Sequence, residues 1–168
     1  AREHGGTSLR PAGVGRGYHE AEVASVIGRK ARHVSREDAA AAILGYTCFN
    51  DVTAREIQDR ETQFTRAKGF DTFAPFGPWI ETDLDPSDLA ITGSVNGKIR
   101  QSSRTRELIF PPAFLVAFVS RVMTLFPGDL IATGTPAGIG PLAPGDSVEV
   151  RIEGIGTLSN SVAGPSLG

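Results

Sequence analysis

Cysteine is almost missing from these 168 residues: there is one, Cys48, beside one methionine, one tryptophan and three histidines. A single thiol excludes a disulfide framework, and it leaves too few ligands for a zinc site of the Cys/His kind. Cys48 lies in the apolar stretch 46–49 and reads as a small buried hydrophobe, which fits a reducing, cytoplasmic setting. Three histidines and no Gly-x-Ser-x-Gly turn give poor support to a nucleophilic triad. Long hydrophobic runs are absent too. The longest apolar stretch, 110–126, is interrupted by Pro111, Pro112, Ser120 and Arg121 and is too short for a bilayer, and no secretory pattern opens the chain. Positive charge is not in excess either: 17 Lys and Arg stand scattered against 19 Asp and Glu, for a net charge of −2. That balance lacks the footprint of a nucleic-acid binder. The expectation is a soluble cytoplasmic protein with no membrane or nucleic-acid partner.

What is present is enough apolar residue, 40%, for one proper core in one domain spanning 1–168. Period-two alternation predicts a strand from Glu20 to Ile27, stopped by Gly28. Ser35 with Asp38 resembles a capping box for an Ala-rich helix over 36–44, which Gly45 would end. A strand resumes at 46–50. Thr53 with Glu56 repeats the capping pattern and predicts a short helix to about Asp59, with Arg55 and Gln58 on one face. Asn96-Gly97 between Ile91–Val95 and Lys98–Ser102 is a strong hairpin signal, because both turn positions tolerate positive φ. Residues 113–125 read as a buried helix, and 130–132, 147–153 and 157–162 as strands. Strands and helices do not alternate regularly, so the fold class is α+β, predominantly β and rich in antiparallel pairing.

Three carboxylates carry the chemistry. On a strand, Glu20 and Glu22 point to one face. Asp51, 29 positions after Glu22, could complete a set. Three oxygen ligands with no Cys or His among them suit a hard divalent cation, Mg²⁺ or Mn²⁺, with open positions for water and substrate. Each piece has a plainer reading: Glu-x-Glu is usually a solvated strand face, Asp51 an acid before a helix cap, and Lys68 a surface lysine. The Gly134-Thr135-Pro136 loop with Gly138 and Gly140 offers backbone N–H groups to a ligand or is a tight connection; it is neither a dinucleotide fingerprint nor a P-loop.

The pieces 18–28 (Tyr-His-Glu-Ala-Glu-Val-Ala-Ser-Val-Ile-Gly), 45–58, 66–73, 77–80, 125–140 (Leu-Phe-Pro-Gly-Asp-Leu-Ile-Ala-Thr-Gly-Thr-Pro-Ala-Gly-Ile-Gly) and 154–160 together resemble the fumarylacetoacetate hydrolase family, in its catalytic domain. The resemblance implies a β-rich mixed fold, a homodimer, and Mg²⁺ or Mn²⁺ held by Glu20, Glu22 and Asp51. By position Lys68 resembles the family's active-site lysine, Arg55 and Gln58 its substrate contacts, and Thr135 the residue that helps hold the substrate carboxylate. Glu3 resembles the acid of a His–Glu pair on a mobile lid, whose histidine would precede Ala1. Residues 1–17 would then be the remnant of a lid or linker. Val23, Ser25 and Glu56 depart from the family's usual residues without touching a proposed ligand. The substrate implied is a small α-keto or β-diketo acid. The first reading is hydrolysis of a C–C bond in an acylpyruvate-like β-diketo acid through an enolate held at the metal. The alternative is isomerisation or decarboxylation of 2-hydroxyhepta-2,4-diene-1,7-dioate-like or oxaloacetate-like acids in aromatic catabolism. A third reading is a catalytically silent relative that binds metal or keto acid.

Overall fold

The computed structural model describes residues 4–9, 11 and 13–164. Twelve strands among the described residues form three sheets. The middle layer is a four-stranded antiparallel sheet of β3 (Ala21–Ile27), β4 (Ile43–Asn50), β6 (Phe76–Glu81) and β9 (Leu130–Ala132), in the order β6-β4-β3-β9. Against one face lies a five-stranded sheet of β1 (Thr7–Leu9), β7 (Ala90–Val95), β8 (Lys98–Arg104), β11 (Ser147–Ile152) and β12 (Gly156–Ala163). Its one parallel pairing joins β1 to β12. A small sheet of β2 (Gly17–His19), β5 (Thr53–Ala54) and β10 (Gly140–Pro141) caps one end. Four α-helices are found among the described residues: α1 (Arg36–Ala39), α2 (Arg55–Gln58), α3 (Thr65–Lys68) and α4 (Pro112–Val122). The architecture is α+β with strands dominant, as the irregular alternation of elements predicts.

Two apolar seams hold the layers together. Ala21, Val23 and Cys48 from the middle sheet meet Ile91, Val150, Ile152 and Leu158 from the five-stranded sheet. On the other face Ile27 packs with Ala31, Ala39, Ala42, Val116, Ala117 and Leu125, which belong to or flank α1 and α4. Burying an Ile or Leu side chain in this way contributes roughly 1.5–3 kcal/mol. β3 is consequently buried along its whole length, both faces covered. Cys48 is fully buried within the first seam, and burial pushes its thiol up to about 11, so it is packed and inert.

The Asn96-Gly97 hairpin forms as expected, with φ of 52° and 73° at the turn. Ser35 caps α1 through the Asp38 amide at 3.1 Å. That helix is shorter than the predicted 36–44: it tightens into a 3₁₀ turn at Ala40–Ala42 and the chain enters β4 at Ile43. Gly45 therefore ends no helix. A Cβ there would meet the Glu81 carbonyl oxygen at 2.3 Å, so glycine is needed for β6 to approach β4. The predicted Thr53 cap is also absent, since α2 begins after Ala54 without a side-chain cap. The predicted buried helix 113–125 is α4, but only one face is covered: Phe118, Val122 and Met123 are exposed. Within the stretch read as lid or linker, Thr7–Leu9 forms β1.

Candidate metal centre

The strand β3 begins immediately after Glu20, and its pairing with β4 sets Ala21 opposite Asn50. The next residues on either side, Glu20 and Asp51, are joined by a 2.9 Å bond from the Asp51 amide to the Glu20 carbonyl. Antiparallel register thus closes the sequence gap between Glu22 and Asp51. One oxygen from each of Glu20, Glu22 and Asp51 falls within 4.8 Å of the others. Glu20 and Glu22 are buried and Asp51 half-buried. Asn50 fixes the approach by accepting the Glu20 amide on its Oδ1 at 2.9 Å.

Beyond Ala132 the chain continues alongside β3. Thr133 Oγ1 donates to the Val23 carbonyl at 2.8 Å, the Gly134 amide donates to Glu22 Oε2 at 2.8 Å, and Thr135 Oγ1 donates to the Ala21 carbonyl at 2.9 Å. Two cations meet the cluster as well. Lys68, the last residue of α3, donates to Asp51 Oδ2, to Glu20 Oε2 at 3.1 Å and to Thr53 Oγ1 at 2.9 Å. Arg55 donates to Glu20 Oε1 and to Gln58 Oε1, and its guanidinium lies over the Tyr18 ring, 5.2 Å from the centroid.

Electrostatics express the crowding. Burial first, then the Asp51 and Glu20 charges, push Glu22 up to about 8, against the Gly134 amide and Lys68, which pull it down. Burial also raises Asp51, with Lys68 opposing. At Lys68 burial pulls the ammonium down, but hydrogen bonding and the charges of Asp51 and Glu20 outweigh it and leave it raised, hence protonated at neutral pH. Burial and the neighbouring charges keep Glu22 protonated near neutral pH beside one lysine and one arginine, and a divalent cation is the group that would let all three carboxylates ionise together. An all-oxygen donor set in a half-enclosed position fits Mg²⁺ or Mn²⁺ and not a thiolate- or imidazole-seeking metal.

The structure brings together Glu20, Glu22, Asp51, Lys68, Arg55 and Gln58, and sets Thr135 beside the same strand. Glu3 lies outside the described residues. Two participants escaped sequence reading. Thr53 resembles a helix cap in the sequence and instead fixes Lys68. Gln101, on the distant β8, donates to Thr135 Oγ1 at 2.8 Å, and its only signal was an inward position on the hairpin.

The profile for the C-terminal region of fumarylacetoacetate (FAA) hydrolase matches residues 1–163. The structure is similar to that of 5-carboxymethyl-2-hydroxymuconate delta-isomerase from Mycobacterium smegmatis, with 50% identity and a TM-score of 0.95 over 98% of this chain and 65% of that one. The 4-hydroxyphenylacetate degradation bifunctional isomerase/decarboxylase of Salmonella dublin is 43% identical over 164 residues, covering 95% of this chain and 38% of the relative. Maleylpyruvate hydrolase from Sphingobium sp. SYK-6, solved with manganese(II) and pyruvate, shares 37% identity and a TM-score of 0.88 over 98% of this chain and 61% of that one. The chain therefore spans less than two thirds of the length of each of these proteins. With the profile matched along almost its whole length and identities of this size, the chain belongs to the fumarylacetoacetate hydrolase family.

Proposed function

We propose that this chain forms the metal- and keto-acid-binding part of an enzyme that isomerises or decarboxylates a 2-hydroxydienoate or 2-oxo dicarboxylic acid. The observation that carries this reading is the 50% identity, at a TM-score of 0.95, to a muconate delta-isomerase, supported by the isomerase/decarboxylase relative. It displaces C–C hydrolysis, the first reading of the sequence, in favour of the alternative. Hydrolysis keeps a place as second reading because a maleylpyruvate hydrolase shares the fold at 37% identity.

Glu20, Glu22 and Asp51 would hold Mg²⁺ or Mn²⁺. When bound, such an ion supplies Lewis-acid polarisation of a keto oxygen and favours negative charge there. The remaining work belongs to side chains. Lys68, kept protonated by Asp51 and Glu20, is a fixed cation for the oxygen that gains charge when a proton or carbon dioxide leaves the neighbouring carbon. Arg55 and Gln58 lie side by side at the mouth of the cluster, with polar groups suited to the far end of a dicarboxylate. Thr135 and the Gly134 amide border Glu22 and would take the near carboxylate by turning from their present acceptors, the Ala21 carbonyl and Glu22. Isomerisation and decarboxylation need that charge stabilisation and a proton carried to or from carbon, whereas hydrolysis needs an activated water as well. A homodimer is proposed to form through the apolar surface of α4 and its flanks, where Ile109, Phe110, Phe118, Val122 and Met123 are all exposed.

The test is turnover by the full-length protein, followed spectrophotometrically, on a muconate-type 2-hydroxydienoate, oxaloacetate and an acylpyruvate, with Mn²⁺ or Mg²⁺ and then with chelator. Chelator-sensitive conversion of the dienoate or oxaloacetate in preference to the acylpyruvate is expected. Cleavage of the acylpyruvate alone would return the assignment to hydrolysis. Bound metal with no turnover of any of the three would make the protein a silent relative.

A further inference from the structure

Gln101 is buried, 1% exposed, and all four hydrogen-bonding positions of its amide are used. Its Oε1 accepts from the Ala21 amide at 3.0 Å and from His19 Nδ1 at 3.0 Å. Its Nε2 donates to Thr135 Oγ1 at 2.8 Å and to the Pro136 carbonyl at 2.8 Å. The orientation is forced, because the Ala21 amide can only donate and the Pro136 carbonyl can only accept. His19 Nδ1 must then carry a proton. One side chain therefore ties the backbone between the two glutamates to the segment that presents Gly134 and Thr135.

The surrounding backbone is cut to let it do so. Gly93 stands opposite Gln101 in the β7–β8 ladder, beside a register shift. A Cβ on Gly93 would lie 2.9 Å from Gln101 Oε1 and 3.0 Å from Ala21 Cβ, so the missing side chain is the space through which Gln101 reaches β3. On the other side Gly138, at φ +102°, allows the loop to approach β8 where a Cβ would meet the Arg100 carbonyl oxygen at 2.1 Å. Two glycines and one glutamine converge on the same junction.

We propose that Gln101 is a positioning residue for the site, setting where Gly134 and Thr135 stand relative to Glu22. This rests on the reading of the acid cluster as a metal and keto-acid site. Gln101 bonds to none of the three carboxylates; it acts through the Ala21 amide and the 134–136 segment. A role confined to general stability would weaken everything at once, whereas a positioning role affects the segment and the keto-acid subsite and spares the metal ligands.

The discriminating variants are Gln101→Glu, which keeps the acceptor end and replaces the loop-facing donor, and Gly93→Ala, which leaves Gln101 intact and pushes its amide away. Three readouts apply to the full-length protein: amide hydrogen exchange without metal, Mn²⁺ affinity by calorimetry, and affinity of the Mn²⁺-loaded protein for oxalate, a planar stand-in for the α-keto acid end. In both variants we expect exchange over 133–137 to quicken about tenfold while β11 and the rest of β3 are unchanged, with the Ala21 amide, which Gln101 Oε1 accepts, quickening in Gly93→Ala alone. Mn²⁺ affinity should stay within about threefold and oxalate affinity should fall about tenfold, the size of one buried hydrogen bond. In a Gln101→Glu/Thr135→Val double variant the oxalate loss should be no greater than in Thr135→Val alone. Unchanged exchange and oxalate affinity, additive losses, or uniform acceleration across β3 and β11 would overturn the proposal. A wild-type protein that binds no Mn²⁺ would instead refute the functional reading, and hydrogen exchange would still decide the role of Gln101. Should Gln101→Glu fail to fold, Gly93→Ala carries the same comparison.

Discussion

On the proposed reading, in which Glu20, Glu22 and Asp51 hold a divalent cation, the metal-free protein should depend on pH in the opposite sense to the loaded one, and Glu22 gives the size of the effect. In the metal-free fold burial and the neighbouring charges of Asp51 and Glu20 raise the Glu22 carboxyl from its ordinary 4.5 to about 8. In the unfolded chain it titrates at the ordinary value. Between those two values the folded state holds the proton and the unfolded state does not, so folding is favoured at low pH and that advantage is lost as pH rises through 8. At about 1.4 kcal/mol per unit, the shift amounts to roughly 5 kcal/mol at most. Asp51 is also raised and adds in the same direction. Lys68 is raised as well, so it stays charged through this window and contributes no slope there.

The assay is thermal denaturation in chelator between pH 5.5 and 9. For a chain of this size each kcal/mol moves the midpoint by roughly 2–4 °C, so the wild-type midpoint should drop by about 10 °C across the range. Glu22→Gln removes the titrating group and the repulsion together, so its metal-free form should be nearly flat with pH and the more stable at pH 9. Adding Mn²⁺ should restore the wild type at pH 9 and leave Glu22→Gln unmoved. Metal affinity should rise up to about tenfold per pH unit below 8, since binding releases the proton. A wild-type midpoint that is level or climbs from pH 6 to 9 in chelator, matched by Glu22→Gln, would refute the reasoning.

Other consequences are simpler to check. Lys68→Met deletes the fixed cation at the reacting end, and kcat on the preferred substrate should fall by about 10²-fold or more, as for other preorganised charge partners; an unchanged kcat would remove Lys68 from the chemistry. Gly45→Ala forces a Cβ to within 2.3 Å of the Glu81 carbonyl oxygen. Separating β4 from β6 should cost on the order of 1–3 kcal/mol, visible as a lower midpoint in thermal denaturation with the far-UV circular dichroism intact. Phe118→Asp places charge on the exposed face of α4; the proposed dimer predicts that sedimentation at micromolar concentration finds the wild type as a dimer and the variant as a monomer, and a variant that stays dimeric would move the interface elsewhere.

Much of this site could be read before the fold was known, and the reason is local geometry. Glu20 and Glu22 share a face because strand periodicity is two, and Arg55 and Gln58 meet because helix neighbours lie three apart. Asn96-Gly97 announces its hairpin because few other pairs accept two positive φ values. What local geometry could not fix depends on pairing between distant segments. Asp51 joins the glutamates only through the Ala21–Asn50 register, which no spacing rule supplies. Thr53 and Gly45 carry the right local signatures for a cap and a helix end, yet each is claimed by a partner remote in sequence: Lys68 for the hydroxyl, the Glu81 carbonyl for the missing Cβ. Gln101 is the extreme case, an unremarked polar residue on an ordinary hairpin whose role exists because Gly93 opens a path across the sheet. A local motif thus states what a residue can do, and tertiary pairing selects which use is made of it. At a buried acid cluster that selection is severe, because every carboxylate must find a cation, an amide or a metal, and the partners it recruits come from wherever the fold can bring them.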